Sequence, residues 1–333
     1  MVRDQQPTLP SSEAGYSFHW DDNNAIIGIA KKWFNEIPFG TKWIMVGLSV
    51  MFLFLQCVFD YPQITSACLT YGNIVDSYEF YRLISYALLH AGIIHYLFNI
   101  LAQISLSSML ETNIFKSTIK LFSCTLFTIL SSSVIQILIS FFIDKILLYV
   151  FGYNVRFGKF VRKEGSGNLI AILDFISEYS LMRECSIGFS GVAFSYLSIM
   201  SVNSFASSQS LFGLVQIPFK FYPWVLLFIT ELLMSGSSFS GHLFGILVGY
   251  LYVYIFESNT AFSNAYENLL FKIEEKIVPS FIKNSESYWK LSDQRQASNI
   301  GFFSHLMEAG QLNNSPSNYW ERFSTSGRSI GGQ

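Results

Sequence analysis

Charge is what this chain has least of: Asp, Glu, Lys and Arg make up 13% of its 333 residues. A soluble domain carries about 25%, so there is too little charge to cover a surface that faces water on every side. No basic tract is present and the net charge is −2, which argues against nucleic acid as a partner. Cysteine is scarce too, with Cys57, Cys68, Cys124 and Cys185 alone, and none stands with a histidine at a zinc-type spacing. Cys57 and Cys124 lie inside apolar runs and read as small core residues. Cys68 and Cys185 could face one compartment, and spacing alone leaves open whether they pair. The N-terminal segment, residues 1–40, is polar and lacks the apolar core of a signal peptide. Insertion into a bilayer would then rely on an internal segment that stays in the protein.

What is abundant is apolar sequence, 51% of the chain, with a mean hydropathy of +0.36. A membrane-crossing helix needs about 20 mostly apolar residues. The runs predict six spans: Trp43 to Phe59, Gly92 to Leu110, Ile119 to Ile143, Gly188 to about Ala206, Phe221 to Met234, and Gly241 to Phe256. The fold class is therefore all-α, a six-helix membrane core over residues 41–257. Between the first two spans, Asp60 to Leu89 is too polar to cross and reads as an interfacial or re-entrant segment. An insertion over about 144–186 carries Arg156, Lys159, Arg162 and Lys163, a Gly165–Gly167 turn and a short amphipathic stretch, Leu169 to Ile176.

Beyond Glu257 the composition changes. Phe262, Tyr266, Leu269, Leu270, Ile273, Ile277 and Phe281 recur at helical spacing, which predicts an amphipathic helix on the membrane surface over 258–283. From Asn284 to the end, a Ser-, Asn- and Gln-rich tail without a sustained period is expected to be disordered. Lys31, Lys32 and Lys42 before span one, with Lys116 and Lys120 between spans two and three, put those regions on the cytoplasmic side. The insertion then lies on the opposite side.

Polar residues inside apolar spans are costly and are functional candidates by default. Span two opens with His90, His95 and Asn99, span four with Gly188, Phe189, Ser190 and Gly191, and span six with Gly241 and His242. Alternate spans run in the same direction, so all three of these helix starts lie on one side of the membrane and at similar depth. A serine hydroxyl needs a base to take its proton, and an imidazole can do so without an acidic third member. His95 and Asn99 are four apart and share a helix face, where they could donate to a developing oxyanion together with the free N–H groups at the helix start by Ser190. Gly245 and Gly249 follow His242 on its own face and permit close approach of a neighbouring helix. Taken singly, each of these residues is ordinary membrane-helix packing. Together they point to a Ser–His hydrolase. The HExxH zinc pattern is absent, and Val192 stands where a GxSxG nucleophile elbow needs Gly. No metal or organic cofactor is called for. His19 and His305 lie in the polar termini, and Glu231 reads as a boundary residue of span five.

These residues resemble the rhomboid family of intramembrane serine proteases, over roughly Asp60 to Glu257. The stretch YRLISYALLHAGIIHYLFN is similar to the family's aromatic–Arg then HxxxxHxxxN pattern and places Tyr81, Arg82, His90, His95 and Asn99. Glu111 matches the glutamate that ends the same helix. GFSG matches GxSG, and GHLFGILVG matches AHxxGxxxG with Gly241 in place of Ala. The resemblance implies Ser190 as nucleophile, His242 as base, and an oxyanion hole of His95, Asn99 and the Ser190 N–H. Tyr81, Arg82, His90, Glu111, Gly188, Gly191, Gly241, Gly245 and Gly249 are implied as structural. It implies single-pass membrane proteins as substrates, the lipid bilayer as surroundings, and span five with the loop Ser235 to Ser240 as a gate. The wording also resembles a eukaryotic secretory-pathway subgroup, which implies the endoplasmic reticulum and a cytosolic tail. In some members that tail binds degradation machinery, although no acidic ubiquitin-binding helix is evident around Leu306 to Ser315. Relatives lacking the Ser or His escort membrane clients without cutting them, and that silent role is the alternative expectation.

Overall fold

A computed structural model of the chain describes residues 23–58, 67–151, 153–156, 159–162, 184–203, 207–211, 213–233, 238–258 and 260–293. The Gly165–Gly167 turn, Leu169–Ile176, residues 235–237 of the loop Ser235–Ser240, and the histidines His19 and His305 lie outside the described residues. So do residues 294–333, with the tail region around Leu306. Helix α1 (Asn23–Glu36) belongs to a first compact unit that ends at Glu36, and everything below belongs to a second that starts at Ile37.

Pro38 precedes α2 (Phe39–Val58), where its fixed φ and missing N–H suit a helix start. Short α3 (Tyr71–Val75), capped by the Thr70 hydroxyl, and α4 (Arg82–Ser85) fill the stretch expected to be interfacial. Then come α5 (Ile93–Met109), prolonged by a wider turn to Ile114, and α6 (Thr118–Phe151). Strands β1 (Tyr153–Arg156) and β2 (Lys159–Arg162) form an antiparallel hairpin. Helix α7 (Ser190–Asn203) is followed by a second antiparallel hairpin, β3 (Ser208–Leu211) and β4 (Val215–Pro218), with Ser208 opposite Pro218. Helix α8 (Tyr222–Leu233), α9 (Phe239–Tyr252, prolonged by a wider turn to Glu257), α10 (Thr260–Ile277) and α11 (Ser280–Lys283) follow. The fold is mostly helical, and the two hairpins in the connections are a departure from the all-α expectation.

Among the described residues, three helices are long and apolar enough to cross a membrane: Ile93–Ile114, Thr118–Ile143 and Phe239–Glu257. A fourth is reached if Ile27–Glu36 and Phe39–Leu55 count as one broken span. The fourth and fifth expected spans coincide with α7, described over 14 residues, and α8, described over 12; residues 204–206 and 234–237, which follow them, lie outside the described residues. Helix α6 runs on past the expected end at Ile143 to Phe151 without a break.

The outward faces are what lipid requires. Helix α5 exposes Ile93, Ile94, Leu97, Phe98 and Leu101 while it buries Asn99, Gln103 and Ser107 at every fourth position. That is the reverse of a soluble helix, and the protein is an integral membrane protein on this ground. Helix α7 runs through the centre, buried at every residue from Val192 to Met200. Leu110, Leu121, Cys124, Ile129 and Tyr252 pack in the same core.

The tail departs from expectation where it begins. Instead of losing structure at Asn284, the chain folds back and packs as far as Leu291, which is fully buried together with most of Tyr288. Two helix starts supply the reason. Phe39 N–H donates to Ser287 O (2.9 Å) and Thr118 N–H to Trp289 O (2.9 Å), so this strap satisfies amides that the first turns of α2 and α6 leave unpaired. The buried Glu274 of α10 accepts from Leu291 N (3.1 Å) and from the Tyr288 hydroxyl (3.0 Å). Of the apolar stripe on α10 and α11, Leu270 enters the core, while Phe262, Leu269, Ile277 and Phe281 stay exposed. An ion pair between Lys120 and Glu267 ties α10 to α6.

Candidate active site

Two helix starts bring the site together. Ser238 caps α9, its hydroxyl accepting from Gly241 N at 3.0 Å, which sets His242 in the first turn. Ser190 is the first residue of α7. His242 Nε2 and Ser190 Oγ are 2.8 Å apart. The ring of Phe194, one turn along α7, lies against the imidazole with centroids 4.7 Å apart. Nδ1 of His242 is buried without a hydrogen-bond partner among the described residues, so the pair stands as a dyad with no carboxylate behind it.

Glycines make this approach possible. A Cβ on Gly245 would lie 2.1 Å from Gly191 O, and one on Gly249 would lie 2.5 Å from Ser195 O. Both are far inside van der Waals contact, so α7 and α9 touch backbone to backbone. Gly191 itself faces Gly241 O, at 3.0 Å from an added Cβ. Gly188 is constrained twice. Its φ is +111°, a region that side chains disfavour, and a Cβ there would meet the His95 ring at 2.7 Å. Gly188 N–H donates to Tyr86 O at 2.9 Å, which pins the turn just ahead of Ser190.

The His95 ring therefore sits beside the chain two residues before the serine, with Asn99 Nδ2 3.8 Å from the same Gly188 Cβ position. The Asn99 amide donates to His95 O (2.8 Å), and its Oδ1 is buried without a partner among the described residues. His90 is buried and packs edge-on against His95, with ring centroids 5.5 Å apart, and against Tyr96. Arg82 holds the loop below, donating to Cys68 O at 2.7 Å and pairing with Glu79, while Tyr81 is exposed and donates to Glu79 at 3.0 Å.

Glu111 is not part of this cluster. It lies at the other end of α5, fully buried, and accepts from Gly40 N (2.9 Å), Thr41 N (2.8 Å), Thr41 Oγ1 (2.9 Å) and Thr118 Oγ1 (2.6 Å). One carboxylate thus caps the start of α2, where a helix dipole favours negative charge, and joins it to the start of α6. Sequence reasoning missed four residues around the dyad: Gln136, Glu184, Ser186 and Ser238. Ser186 Oγ donates to Gln136 Oε1 (3.0 Å) and lies 2.6 Å from Ser238 Oγ, and Glu184 Oε1 accepts from Ser240 N (3.0 Å). Glu184 and Ser186 carried no signal, because they sit at the end of an insertion with no periodicity. Cys68 and Cys185 are joined as a disulfide, which settles a pairing that spacing left open.

Residues 77–259, more than half of the chain, match the Rhomboid domain. The chain belongs to the rhomboid family. It is 32% identical over 223 residues to Rhomboid-like protein 15 of Arabidopsis thaliana, covering 67% of this chain and 48% of that protein. It is 37% identical over 82 residues to Rhomboid-related protein 4 of Homo sapiens, covering 25% of this chain and 26% of that one. A third relative, Rhomboid-type serine protease 2 of Debaryomyces hansenii, is 27% identical over 219 residues, with 62% of each chain covered. The match thus spans about half of the length of the Arabidopsis protein and a quarter of the human one. In this rhomboid, the described site sits at the start of the central helix α7, between the starts of α5 and α9.

Proposed function

We propose that the protein is an intramembrane serine endopeptidase, with Ser190 as nucleophile and His242 as its base. The observation that carries this is the 2.8 Å contact between Nε2 of His242 and Oγ of Ser190 across two helix starts. In the neutral tautomer with the proton on Nδ1, Nε2 accepts the hydroxyl proton as Oγ attacks the peptide carbonyl. The carbonyl oxygen takes up negative charge, and the Ser190 N–H, His95 and Asn99 are the donors within reach of it. The imidazolium then returns its proton to the leaving amine, and water releases the acyl group by the same steps in reverse order.

The substrates we propose are single-pass proteins whose helix unwinds near the cut, entering past α8. Ser190 opens α7 and His242 stands in the first turn of α9, which supports a dyad lying just below the lipid surface where its end must be open to water. Six passages of the chain through the bilayer and a cytosolic C-terminal part belong to the same proposal. The Cys68–Cys185 disulfide supports an oxidising compartment on the dyad's side, in keeping with a secretory-pathway membrane such as the endoplasmic reticulum. Any link from the tail to degradation machinery rests on residues outside those described.

The test is labelling by a serine-directed fluorophosphonate in membranes. Wild-type protein is expected to label, with Ser190→Ala and His242→Ala not labelling. Equal labelling of wild type and Ser190→Ala sinks the proposal and favours a silent escort of membrane clients.

A further inference from the structure

The three residues Glu184, Cys185 and Ser186 bond to the loop after Cys68, to α6 and to the start of α9. Cys185 is bonded to Cys68, whose carbonyl accepts from Arg82. Ser186 pairs with Leu69 through both backbone bonds, N–H to O at 3.1 Å and O from N–H at 2.8 Å. The Ser186 hydroxyl meets Gln136 of α6 and the Ser238 hydroxyl that caps α9. The Glu184 carboxylate accepts from Ser240 N in the first turn of α9. Two residues further on, Gly188 is pinned to Tyr86, and the next helix begins at Ser190. One short segment therefore fixes the start of the serine helix and the start of the histidine helix, and the disulfide anchors that segment to the loop between Cys68 and Arg82. No other covalent cross-link holds it among the described residues, and Cys185 is exposed at the surface.

We propose that the oxidised Cys68–Cys185 pair, with Glu184 and Ser186, is the positioning device that sets the dyad's geometry, so that full turnover requires an oxidising compartment on that side of the membrane. This rests on the proteolytic reading for its effect on rate. A dithiol reductant supplies two electrons and two protons, becomes a cyclic disulfide, and leaves Cys68 and Cys185 as two thiols. Freed of its anchor, residues 184–189 still carry their hydrogen bonds but lose the fixed end against which both helix starts are held.

The test uses the full chain in phosphatidylcholine liposomes, with and without dithiothreitol, and alkylation mass spectrometry to show that both thiols have formed. Two quantities are read: the rate of Ser190-dependent fluorophosphonate labelling, and amide hydrogen exchange over residues 184–192 and 238–244. On reduction, labelling is expected to slow on the order of 10- to 100-fold, the scale set by displacements near 1 Å in a reacting pair. Exchange over both segments is expected to quicken while that over residues 260–277 stays the same, and reoxidation should restore both. The double variant Cys68→Ser, Cys185→Ser should start slow and not respond to dithiothreitol. Glu184→Ala should slow labelling at unchanged amount of folded protein, with Glu184→Gln, which keeps the acceptor oxygen, close to wild type. Unchanged exchange in both segments after complete reduction overturns the proposal, as does a labelling rate within twofold of the oxidised protein. If wild type and Ser190→Ala label alike, the proteolytic reading fails instead, and exchange alone decides whether the disulfide orders the two helix starts.

Discussion

The sharpest consequence of this structure concerns Gly245. Its added Cβ would lie 2.1 Å from Gly191 O, and ordinary contact begins at 3.4 Å. The atom that must give is backbone on both sides, so Gly245→Ala forces α7 and α9 apart by roughly 1 Å rather than turning a side chain aside. His242 lies three residues before Gly245 on the same helix face, and its bond to Ser190 is 2.8 Å. An opening of that size takes Nε2 out of hydrogen-bond range. A misplacement of about 1 Å lowers a rate by about 100-fold, or about 2.7 kcal/mol of barrier. The accompanying overpacking costs about 1–3 kcal/mol of stability, which leaves a folded population to assay. Labelling kinetics and cleavage of a single-pass test substrate in liposomes measure the rate, and thermal unfolding in detergent measures stability. Gly47→Ala is the control, since nothing lies within 4 Å of its Cβ in α2. It should leave the rate alone and raise stability by about 0.4–1 kcal/mol. Gly249→Ala, with a Cβ 2.5 Å from Ser195 O, should lower stability as much but the rate less, because it wedges the helices further from the dyad. A Gly245→Ala protein that labels within twofold of wild type would refute the reasoning that backbone contact sets the dyad distance.

Other outcomes are expected at separate places. Asn99→Ala should lower kcat of cleavage about 100-fold, the scale for loss of one oxyanion donor, and an unchanged kcat would remove Asn99 from that role. Glu111→Ala strands the donors of Gly40, Thr41 and Thr118; the melting midpoint in detergent should fall by the equivalent of about 3 kcal/mol or more, with a smaller fall for Glu111→Gln. Burial, foremost, raises the carboxyl of Glu274 above its ordinary value of 4.5. The folded protein then holds this proton where the unfolded chain has lost it, so Glu274 favours folding below pH 4.5 and loses that advantage as pH rises through its folded pKa. The stability difference between wild type and Glu274→Gln should thus move against wild type as pH is raised from about 4.5, and a difference flat with pH would show that Glu274 titrates normally.

How much of this was legible in the sequence differs from one element to the next, for physical reasons. The nearness of the starts of α5, α7 and α9 was legible because alternate spans run in parallel and polar residues are conspicuous inside apolar runs. The close crossing of α7 and α9 was legible in the spacing of Gly245 and Gly249. The end of α6 at Phe151 was not, since an apolar run reports hydrophobicity and not where the helix ends. The hairpin that begins at Ser208 is one that no apolar pattern announces. The strap Ser285–Leu291 was hidden as well. Its composition is that of a disordered tail, and what docks it is backbone: carbonyls of Ser287 and Trp289 that answer unpaired amides of α2 and α6. The Cys68–Cys185 bond closes across a separation of 117 residues, which spacing cannot foretell.

The two ends of the bundle solve one problem by different chemistry. Lipid offers helices no hydrophobic force to hold them together, so helices that touch only at a glycine seam could pivot about it. Pivoting about Gly191 and Gly245 would change the Ser190–His242 distance directly, because the dyad lies within a turn of that seam. At the dyad end the lever is held by a covalent bond and by Glu184 and Ser186. At the other end a carboxylate holds it, Glu257 of the α9 extension accepting from Asn203 of α7, while Glu111 ties α2, α5 and α6, Glu267 with Lys120 ties α10 to α6, and Glu274 of α10 holds the strap. An added methyl group at the seam and a broken clamp at either end should therefore converge on one outcome. Each loosens the same angle between α7 and α9, so Gly245→Ala combined with reduction of the disulfide should slow labelling by less than the product of the two separate effects.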